Sequence, residues 1–315
     1  MISIGIDLGG TNIKSAVVDQ KKGLLSRYSI PTNAAGGPDA VLDRIAEAIT
    51  NAASDAPEKP VGAGIGSPGV ISLDRTTVSN PPNLPGWEVI NVNKEIKKRT
   101  GLDAIVDNDA NLMALGSSRY GAGRDLDSLI MLTLGTGVGG GIIYHRELYR
   151  GMTGGAGELG HVIIDYNGPE SNSSARGGIE AYIGQRFLIR NAMPLIQKNP
   201  DNPIAKNFLD RPESLEPVHL SNEADDGNEL AIRILADAGR MLGYAIVNCI
   251  HILDIRNIIV SGGVAKAGDW ILEPARRAAL ERLMPPFREG FEIRYESLGN
   301  DAALLGAGSL AFEFL

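Results

Sequence analysis

The segment Asp7-Leu8-Gly9-Gly10-Thr11-Asn12-Ile13-Lys14 is the most informative stretch of this 315-residue chain. It follows a run in which Ile2, Ile4 and Ile6 alternate with small residues, the pattern of a half-buried strand. Paired glycines let backbone N–H groups approach a phosphate because no Cβ blocks the way. The segment is equally typical of a tight hairpin turn, since residues 13–18 also have the pattern of a strand.

Two side chains of this segment add chemistry of their own. Thr11 supplies a hydroxyl donor, and Asp7 places a carboxylate where Mg²⁺ with its waters could sit beside phosphates. Lys14 belongs to the same segment but points along the following strand, so a direct phosphate contact from it stays open.

Length and composition predict a soluble protein of two domains with small-molecule partners. The chain is 43% hydrophobic and 22% charged, with a net charge of −8 and no run of five Lys or Arg. Nucleic acid and membrane surfaces are therefore disfavoured as partners. The single Cys249 lies in an apolar run that indicates core packing, and no secretory signal is visible, so a cytoplasmic location is expected.

A second block repeats the layout of the first. Residues 1–100 alternate strands and helices, and the apolar strand 129–134 then ends in a second glycine-rich turn, residues 135–141. Two halves that each offer such a turn predict a nucleotide cleft between them.

Helical patterns occur in three further places. Residues 38–53 carry an apolar stripe on one face, Asn91 is a possible N-cap of a short helix over residues 91–99, and residues 228–253 are predicted to form a long helix. Residues 191–218 are predicted to be the least regular part of the chain.

Asn108 and Asp109 follow the predicted strand 104–106, at the end where open α/β sheets place ligands. An aspartate there can accept the proton of a hydroxyl that attacks a phosphate, while the asparagine holds a neighbouring hydroxyl. The alternative is that Asp109 is the N-cap of a helix over residues 110–120.

Glu158 and His161 lie three residues apart after the glycine-rich residues 150–155, which we expect to be mobile. Carboxylates accept hydrogen bonds from vicinal hydroxyls, and a neutral histidine can donate and accept, which is the chemistry of sugar recognition. Glu180 could add a third polar group. The alternative for His161 alone is a core histidine with its hydrogen bonds satisfied.

Taken together, these motifs resemble the ROK family (repressors, open reading frames and kinases) of the actin-like ATPase superfamily. The motifs occur in the family's order, namely DLGGT at 7–11, GSPG at 66–69, NPPNLPGW at 80–87, NDAN at 108–111, LGTGVGGG at 134–141 and GELGH at 157–161. The resemblance implies an α/β fold of two actin-like ATPase (ribonuclease H-like) domains with a cleft between them. The smaller domain would hold residues 1–112 and about 300–315, and the larger would hold residues 113–299.

The resemblance also implies an ATP- and Mg²⁺-dependent sugar kinase whose residues have assigned roles. Asp109 would be the catalytic base. Sugar contacts would come from Asn108, Glu158, His161 and Glu180, with Gly69 and Asn83. The phosphates would lie on Gly9, Gly10, Thr11, Gly135, Thr136 and Gly137, the Mg²⁺ near Asp7, and the adenosine by Gly262, Gly263 and Val264. The residues leave the oligomeric state open, and the resemblance points to a homodimer.

One departure from the family is sharp. Many members bind a structural zinc through the histidine of GELGH and three cysteines that precede the pocket glutamate. Here those three positions hold Ser171, Ser173 and Gly178. Serine hydroxyls are poor zinc ligands and glycine has no side chain, so we predict no structural zinc and a loop held by hydrogen bonds instead.

The resemblance leaves more than one function open. A glucokinase is the leading interpretation, and an N-acylhexosamine or fructose kinase is its alternative, because the pocket residues do not separate these sugars. Whether the donor is ATP or polyphosphate is also open. The missing zinc cysteines keep a sugar-binding protein with weak or lost kinase activity in view. A sugar-responsive repressor is disfavoured, because Asp7 leaves no room for a preceding DNA-binding segment.

Overall fold

The computed structural model of the chain describes residues 1–172 and 176–315. The strands before residue 129 are β1 (Ile2–Leu8), β2 (Asn12–Asp19), β3 (Gly23–Pro31), β4 (Ala63–Ser67), β5 (Val70–Ile71), β6 (Thr77–Ser79), β7 (Val89–Asn91) and β8 (Ala104–Asn108). The helices of this part are α1 (Gly37–Ser54), α2 (Val92–Thr100) and α3 (Asp109–Tyr120).

The remainder of the chain is richer in helix. Its strands are β9 (Leu129–Leu134), β10 (Val138–Tyr144), β11 (Glu147–Leu148), β12 (Asn257–Ser261) and β13 (Glu292–Tyr295). Its helices are α4 (Glu180–Ile183), α5 (Gln185–Gln197), α6 (Pro203–Phe208), α7 (Pro217–Asp225), α8 (Glu229–Leu253), α9 (Asp269–Arg282) and α10 (Asp301–Phe314). No helix within the described residues is long and apolar enough to cross a membrane.

The chain divides into two compact units. Unit one contains Met1–Ser128, Gly141–Gly157 and Ser297–Leu315, and unit two contains Leu129–Gly140 and Glu158–Glu296. The predicted domain boundaries at residues 112 and 300 stay a prediction.

The main sheet of unit one has the strand order β3-β2-β1-β4-β8. β1 pairs antiparallel with β2 and parallel with β4, and β4 pairs parallel with β8. Its core is apolar: Ile4, Ile6, Ile45 and Ile65 are at most 1% exposed. A strand, a tight turn and an antiparallel partner thus open the unit, so the hairpin interpretation of residues 7–14 is confirmed as far as the backbone is concerned.

A second sheet repeats this arrangement. Its neighbouring strands run β10-β9-β12-β13, with β9 parallel to β12 and β12 parallel to β13. The same sequence of hairpin partner, first strand and two parallel strands occurs in unit one as β2-β1-β4-β8. The repeated layout predicted for residues 2–18 and 129–141 is therefore a real repeat of topology.

Glycines let helices pack closely in both units. A Cβ on Gly116 of α3 would lie 1.9 Å from the carbonyl oxygen of Ala302 in α10, and one on Gly306 would lie 1.8 Å from that of Leu112. In unit two, a Cβ on Gly239 of α8 would lie 2.3 Å from a carbonyl oxygen of α9. Because no side chain separates these backbones, α10 fixes the place of α3 in unit one.

Two predictions about elements have different outcomes. The short helix after Asn91 is confirmed, since the Asn91 side chain accepts a hydrogen bond from the Lys94 amide at 2.8 Å. The prediction that residues 191–218 are the least regular part is wrong, because they include the end of α5, all of α6 and the start of α7. Each of the last two helices begins with a proline at its first turn, a start signal that the polar composition concealed.

Candidate active site

The first glycine turn, residues 9–11, is held by its own backbone and by a threonine. The Gly9 amide donates to the Asn12 carbonyl at 3.0 Å, and the Thr32 hydroxyl donates to the Gly9 carbonyl at 2.6 Å. A Cβ on Gly10 would lie 3.1 Å from the Cβ of Asn83, so the predicted sugar ligand Asn83 lies beside this turn. Hairpin and phosphate-binding turn are therefore compatible descriptions of one segment.

Lys14 forms an ion pair with Asp7. The two residues are partners across the β1–β2 ladder, and the Lys14 Nζ lies 3.4 Å from the Asp7 Oδ2. The Asp7 side chain is 20% exposed, so it attracts a cation while staying accessible to solvent. A partly exposed carboxylate of this kind fits a Mg²⁺ ion that keeps most of its waters.

The parallel strands of unit one end at a common edge. Asp7 lies opposite Gly66, which lies opposite Asp107 in the next strand. Gly69, just after β4, and Asn108, the last residue of β8, are therefore brought to the edge that also carries the turn 9–11. Gly69 has a φ of 95°, a backbone conformation that glycine adopts most readily.

The helix cap at this edge is Asn108. Its Oδ1 accepts hydrogen bonds from the Ala110 amide at 3.0 Å and the Asn111 amide at 3.3 Å. The alternative that Asp109 is the N-cap is wrong, because α3 already begins at Asp109. The Asp109 Oδ1 accepts from the Ala110 amide at 2.9 Å. The cap uses the side-chain oxygen Oδ1 of Asn108, so the side-chain nitrogen Nδ2 takes no part in it.

A buried ion cluster under this edge was missed by the sequence interpretation. Asp107 is 0% exposed, and its Oδ2 lies 2.8 Å from the Arg75 Nε and 3.1 Å from the Arg150 Nε. Burial lowers the pKa of the Arg150 guanidinium, and the charge of Asp107 opposes that shift. Arg150 is only 7% exposed, so the expected mobility of residues 150–155 does not hold for their first residue. The available signal was a charged residue within an otherwise apolar strand.

The second glycine turn, residues 135–137, packs against Glu180. The Glu180 Oε2 accepts a hydrogen bond from the Val138 amide at 3.1 Å, and a Cβ on Gly137 would lie 2.3 Å from that oxygen. The Gln185 amide donates to the Gly135 carbonyl at 2.9 Å. Glu180, predicted as a sugar ligand, is thus also a brace of the predicted phosphate turn.

Glu158 and His161 stand together on an exposed turn of unit two. The His161 Nε2 lies 3.7 Å from the Glu158 Oε2, and their side chains are 39% and 69% exposed, respectively. The alternative of a core histidine is therefore wrong. A Cβ on Gly160 would lie 2.0 Å from the Val138 carbonyl oxygen, so this turn packs on the start of β10. A carboxylate and an imidazole so placed can together bind the hydroxyls of a polyol.

The third glycine turn, residues 262–264, packs beside the second, residues 135–137. Gly262 has a φ of 99°, and a Cβ there would lie 2.3 Å from the Leu134 carbonyl oxygen, next to Gly135. Val264 is 1% exposed, whereas a Cβ on Gly263 would meet no atom within 4 Å. The residues predicted for adenosine and for phosphate therefore share the edge at which the parallel strands β9 and β12 end.

The loop before Glu180, which departs from the family's zinc-binding pattern, is held by hydrogen bonds. The Ile164 amide donates to the Gly177 carbonyl at 2.9 Å, and the Tyr182 hydroxyl donates to Asp165 at 3.1 Å. Burial raises the pKa of Tyr182 to about 12, and Asp165 adds to the shift. The Arg176 Nη2 lies 2.6 Å from the Glu170 Oε1.

The three positions at which other family members carry zinc-binding cysteines differ in what the structure describes. A Cβ on Gly178 would lie 3.5 Å from the Cα of His161, so this position is next to the histidine. Ser171 is described, whereas Ser173 lies outside the described residues. Within residues 1–172 and 176–315, no group of three His, Cys, Asp or Glu side chains is placed to hold a metal. The residues present do not fit zinc, and its absence stays a prediction.

Comparison with known proteins gives a consistent result. The model of the ROK family matches residues 3–313. A glucokinase of Thermotoga maritima is 36% identical over 98% of this chain and 97% of its own length. The crystal structure of a ROK family glucokinase from Streptomyces griseus in complex with glucose and AMPPNP superposes with a TM-score of 0.84 at 31% identity, covering 99% of this chain and all of that one. A ROK hexokinase from Thermus thermophilus superposes with a TM-score of 0.82 at 30% identity, covering 99% of this chain and 98% of that one.

Proposed function

The chain belongs to the ROK family, and from this premise we propose that it is an ATP-dependent glucokinase, which phosphorylates the primary hydroxyl of glucose. The observation that carries the proposal is the full-length likeness to the Streptomyces griseus enzyme, whose structure holds glucose and AMPPNP, an analogue of ATP. The fold agrees, since both units have the actin-like ATPase topology of that enzyme.

Asp109 is the proposed catalytic base. It would accept the proton of the sugar's primary hydroxyl as that oxygen attacks the γ-phosphorus and the bond to the β-phosphate oxygen breaks. Asn108 would donate from its amide nitrogen to a neighbouring hydroxyl, because its Oδ1 is engaged in the helix cap. The transition state of phosphoryl transfer is loose, so the position of Asp109 should matter more than its basicity.

The proposed sugar ligands besides Asn108 include Glu158 and His161 on an exposed turn and Glu180 at the start of α4. Glu158 and His161 would bind vicinal hydroxyls, and Glu180 would bind a third through the oxygen that does not brace the Val138 amide. The backbone near Gly69 and the side chain of Asn83 would complete the set.

The three glycine turns are the proposed nucleotide site. Residues 9–11 and 135–137 would bind phosphate oxygens through backbone N–H groups, and residues 262–264 would contact the adenosine. Asp7 would hold the water shell of a Mg²⁺ ion, and Lys14 would help to keep that carboxylate in place. When bound, the ion neutralises charge on the phosphate oxygens.

The test is a panel of sugars assayed first with ATP and then with polyphosphate. We expect ATP with glucose to give the highest kcat/KM among glucose, mannose, fructose, N-acetylglucosamine and N-acetylmannosamine. A higher value for an acylated amino sugar or for fructose would replace glucose as the substrate. A higher value with polyphosphate would replace ATP as the donor. Glucose binding without turnover would identify a sugar-binding protein.

The base assignment is tested by Asp109→Asn in the same assay. We expect kcat to fall by about 10²- to 10⁴-fold with little change in KM for glucose, because proton transfer is lost and binding is not. Asp103→Asn is the control, since Asp103 is an exposed aspartate of unit one that pairs with Lys97. An Asp109→Asn variant with most of the original turnover contradicts the assignment.

A further inference from the structure

Asp107 is a buried carboxylate in contact with two arginines. Its side chain is 0% exposed, and an ionised carboxylate is costly to bury unless its charge is paired. Its Oδ2 faces Arg75 at 2.8 Å and Arg150 at 3.1 Å. Two guanidinium groups therefore hold one oxygen of this carboxylate.

The other oxygen holds the start of helix α3. The Asp107 Oδ1 accepts a hydrogen bond from the Asn108 amide at 2.8 Å and from the Asn111 Nδ2 at 3.0 Å. Asn111 is itself 1% exposed. Asp109 lies between Asn108 and Asn111, so the backbone just before the proposed base and a side chain just after it are hydrogen-bonded to a single buried carboxylate.

The two arginines are themselves fixed. The Arg150 guanidinium donates to the Leu73 carbonyl at 2.9 Å and to the Ser72 carbonyl at 3.0 Å. The Arg75 guanidinium lies 4.2 Å from the centre of the Phe314 ring, at the end of α10. The two arginines thus connect the carboxylate to the loop at residues 72–73 and to the end of α10.

We propose that Asp107 is a positioning residue: clamped by Arg75 and Arg150, it fixes the first turn of α3 and so sets where Asp109 presents its carboxylate. The inference rests on the proposed function, because Asp109 is the base only of that reaction. A displacement of about 1 Å at a reacting group can lower a rate by about 100-fold, so a rigid clamp has a kinetic consequence.

Asp107→Asn tests the proposal, since it keeps the shape and removes the charge that the two arginines require. We expect kcat with ATP and glucose to fall about 10- to 100-fold while KM for glucose stays within about twofold. Hydrogen exchange at the amides of residues 108–111 should accelerate at least about tenfold, because their anchor is weakened.

Arg75→Gln and Arg99→Gln form a matched pair that separates positioning from stability. The Arg75 and Arg99 side chains are 14% and 18% exposed, and both pair with carboxylates inside unit one. The partners of Arg99 are Asp39, Asp43 and Glu95, outside residues 107–111. We expect both variants to lower the melting temperature and only Arg75→Gln to lower kcat, by about three- to tenfold.

The outcomes are decisive even if one variant does not fold. A folded Asp107→Asn variant with kcat within twofold of the unchanged protein overturns the proposal. If that variant fails to fold, equal kcat values for Arg75→Gln and Arg99→Gln overturn it. Absence of sugar phosphorylation by the unchanged protein contradicts the proposed function instead, and the exchange rates at residues 108–111 still measure the clamp.

Discussion

At the scale of single residues, Glu180 combines an observed contact with the turn at residues 135–137 and a proposed contact with the sugar. Its Oε2 accepts from the Val138 amide, next to the turn 135–137. Gln at this position keeps an acceptor for that amide but loses the charge, whereas Ala loses both. The two substitutions therefore separate the proposed sugar contact from the brace.

We expect Glu180→Gln to raise KM for glucose about tenfold, the effect of a lost hydrogen bond to a charged group, and to leave KM for ATP unchanged. Glu180→Ala should raise both KM values, because the phosphate turn also loses its brace. Glu281→Ala is the control, since Glu281 is an exposed glutamate of unit two that pairs with Arg282. An unchanged KM for glucose in Glu180→Gln would remove Glu180 from the sugar site.

At the scale of elements, the packing of α3 on α10 decides where the proposed base lies. A Cβ on Gly116 would lie 1.9 Å from the Ala302 carbonyl oxygen, so Gly116→Ala must push the two helices apart. We expect it to lower the free energy of unfolding by about 2 kcal/mol, as overpacking does. Urea denaturation measures the change.

Gly155→Ala is the matched control for this helix contact. The nearest neighbour of a Cβ on Gly155 is the Thr153 hydroxyl oxygen at 3.9 Å, an ordinary contact. If Gly116→Ala costs no more than Gly155→Ala, the close approach of α3 and α10 is not required for stability.

The second prediction at the scale of elements concerns zinc binding by the loop before Glu180. We expect protein that has never met a chelator to carry no zinc, and the triple variant Ser171→Cys, Ser173→Cys, Gly178→Cys to bind about one zinc per chain with His161. Elemental analysis measures both. The same variant with His161→Ala should bind zinc more weakly. Zinc in the unchanged protein at about one per chain contradicts the prediction.

At the scale of the whole molecule, Cys249 reports whether unit two is folded. The residue is 3% exposed, and burial raises the pKa of its thiol to about 11. The folded state resists thiol ionisation more than the unfolded state does. The neutral thiol therefore adds stability below pH 9, and this contribution is lost as the pH rises from about 9 to 11.

We expect the Cys249 thiol to be unreactive to a disulfide reagent at pH 8 and to react fully in denaturant. The control is Ser54→Cys in a Cys249→Ala background, which places a thiol at the exposed end of α1 and should react at once. Rapid labelling of native Cys249 would show that the core of unit two opens readily.

The chain's own pattern determined much of the fold and many of the candidate residues. Alternating isoleucines predicted β1, an apolar stripe predicted α1, and Asn91 predicted the start of α2, because each signal lies within a few neighbouring residues. The order of the motifs indicated the ROK family, since each glycine turn has a local sequence signature. The family and the two-domain fold are confirmed, and the residue roles stay predictions.

What only the tertiary structure decided is which distant residues share a contact. Asp107 meets Arg75 and Arg150 through the pairing of β4 with β8 and the return of the chain at residues 141–157, and no local pattern links these three residues. The same holds for Glu180 on the turn at residues 135–137. A strand or a turn depends on neighbours in sequence, whereas a buried charge depends on partners that folding alone brings within 3 Å or so.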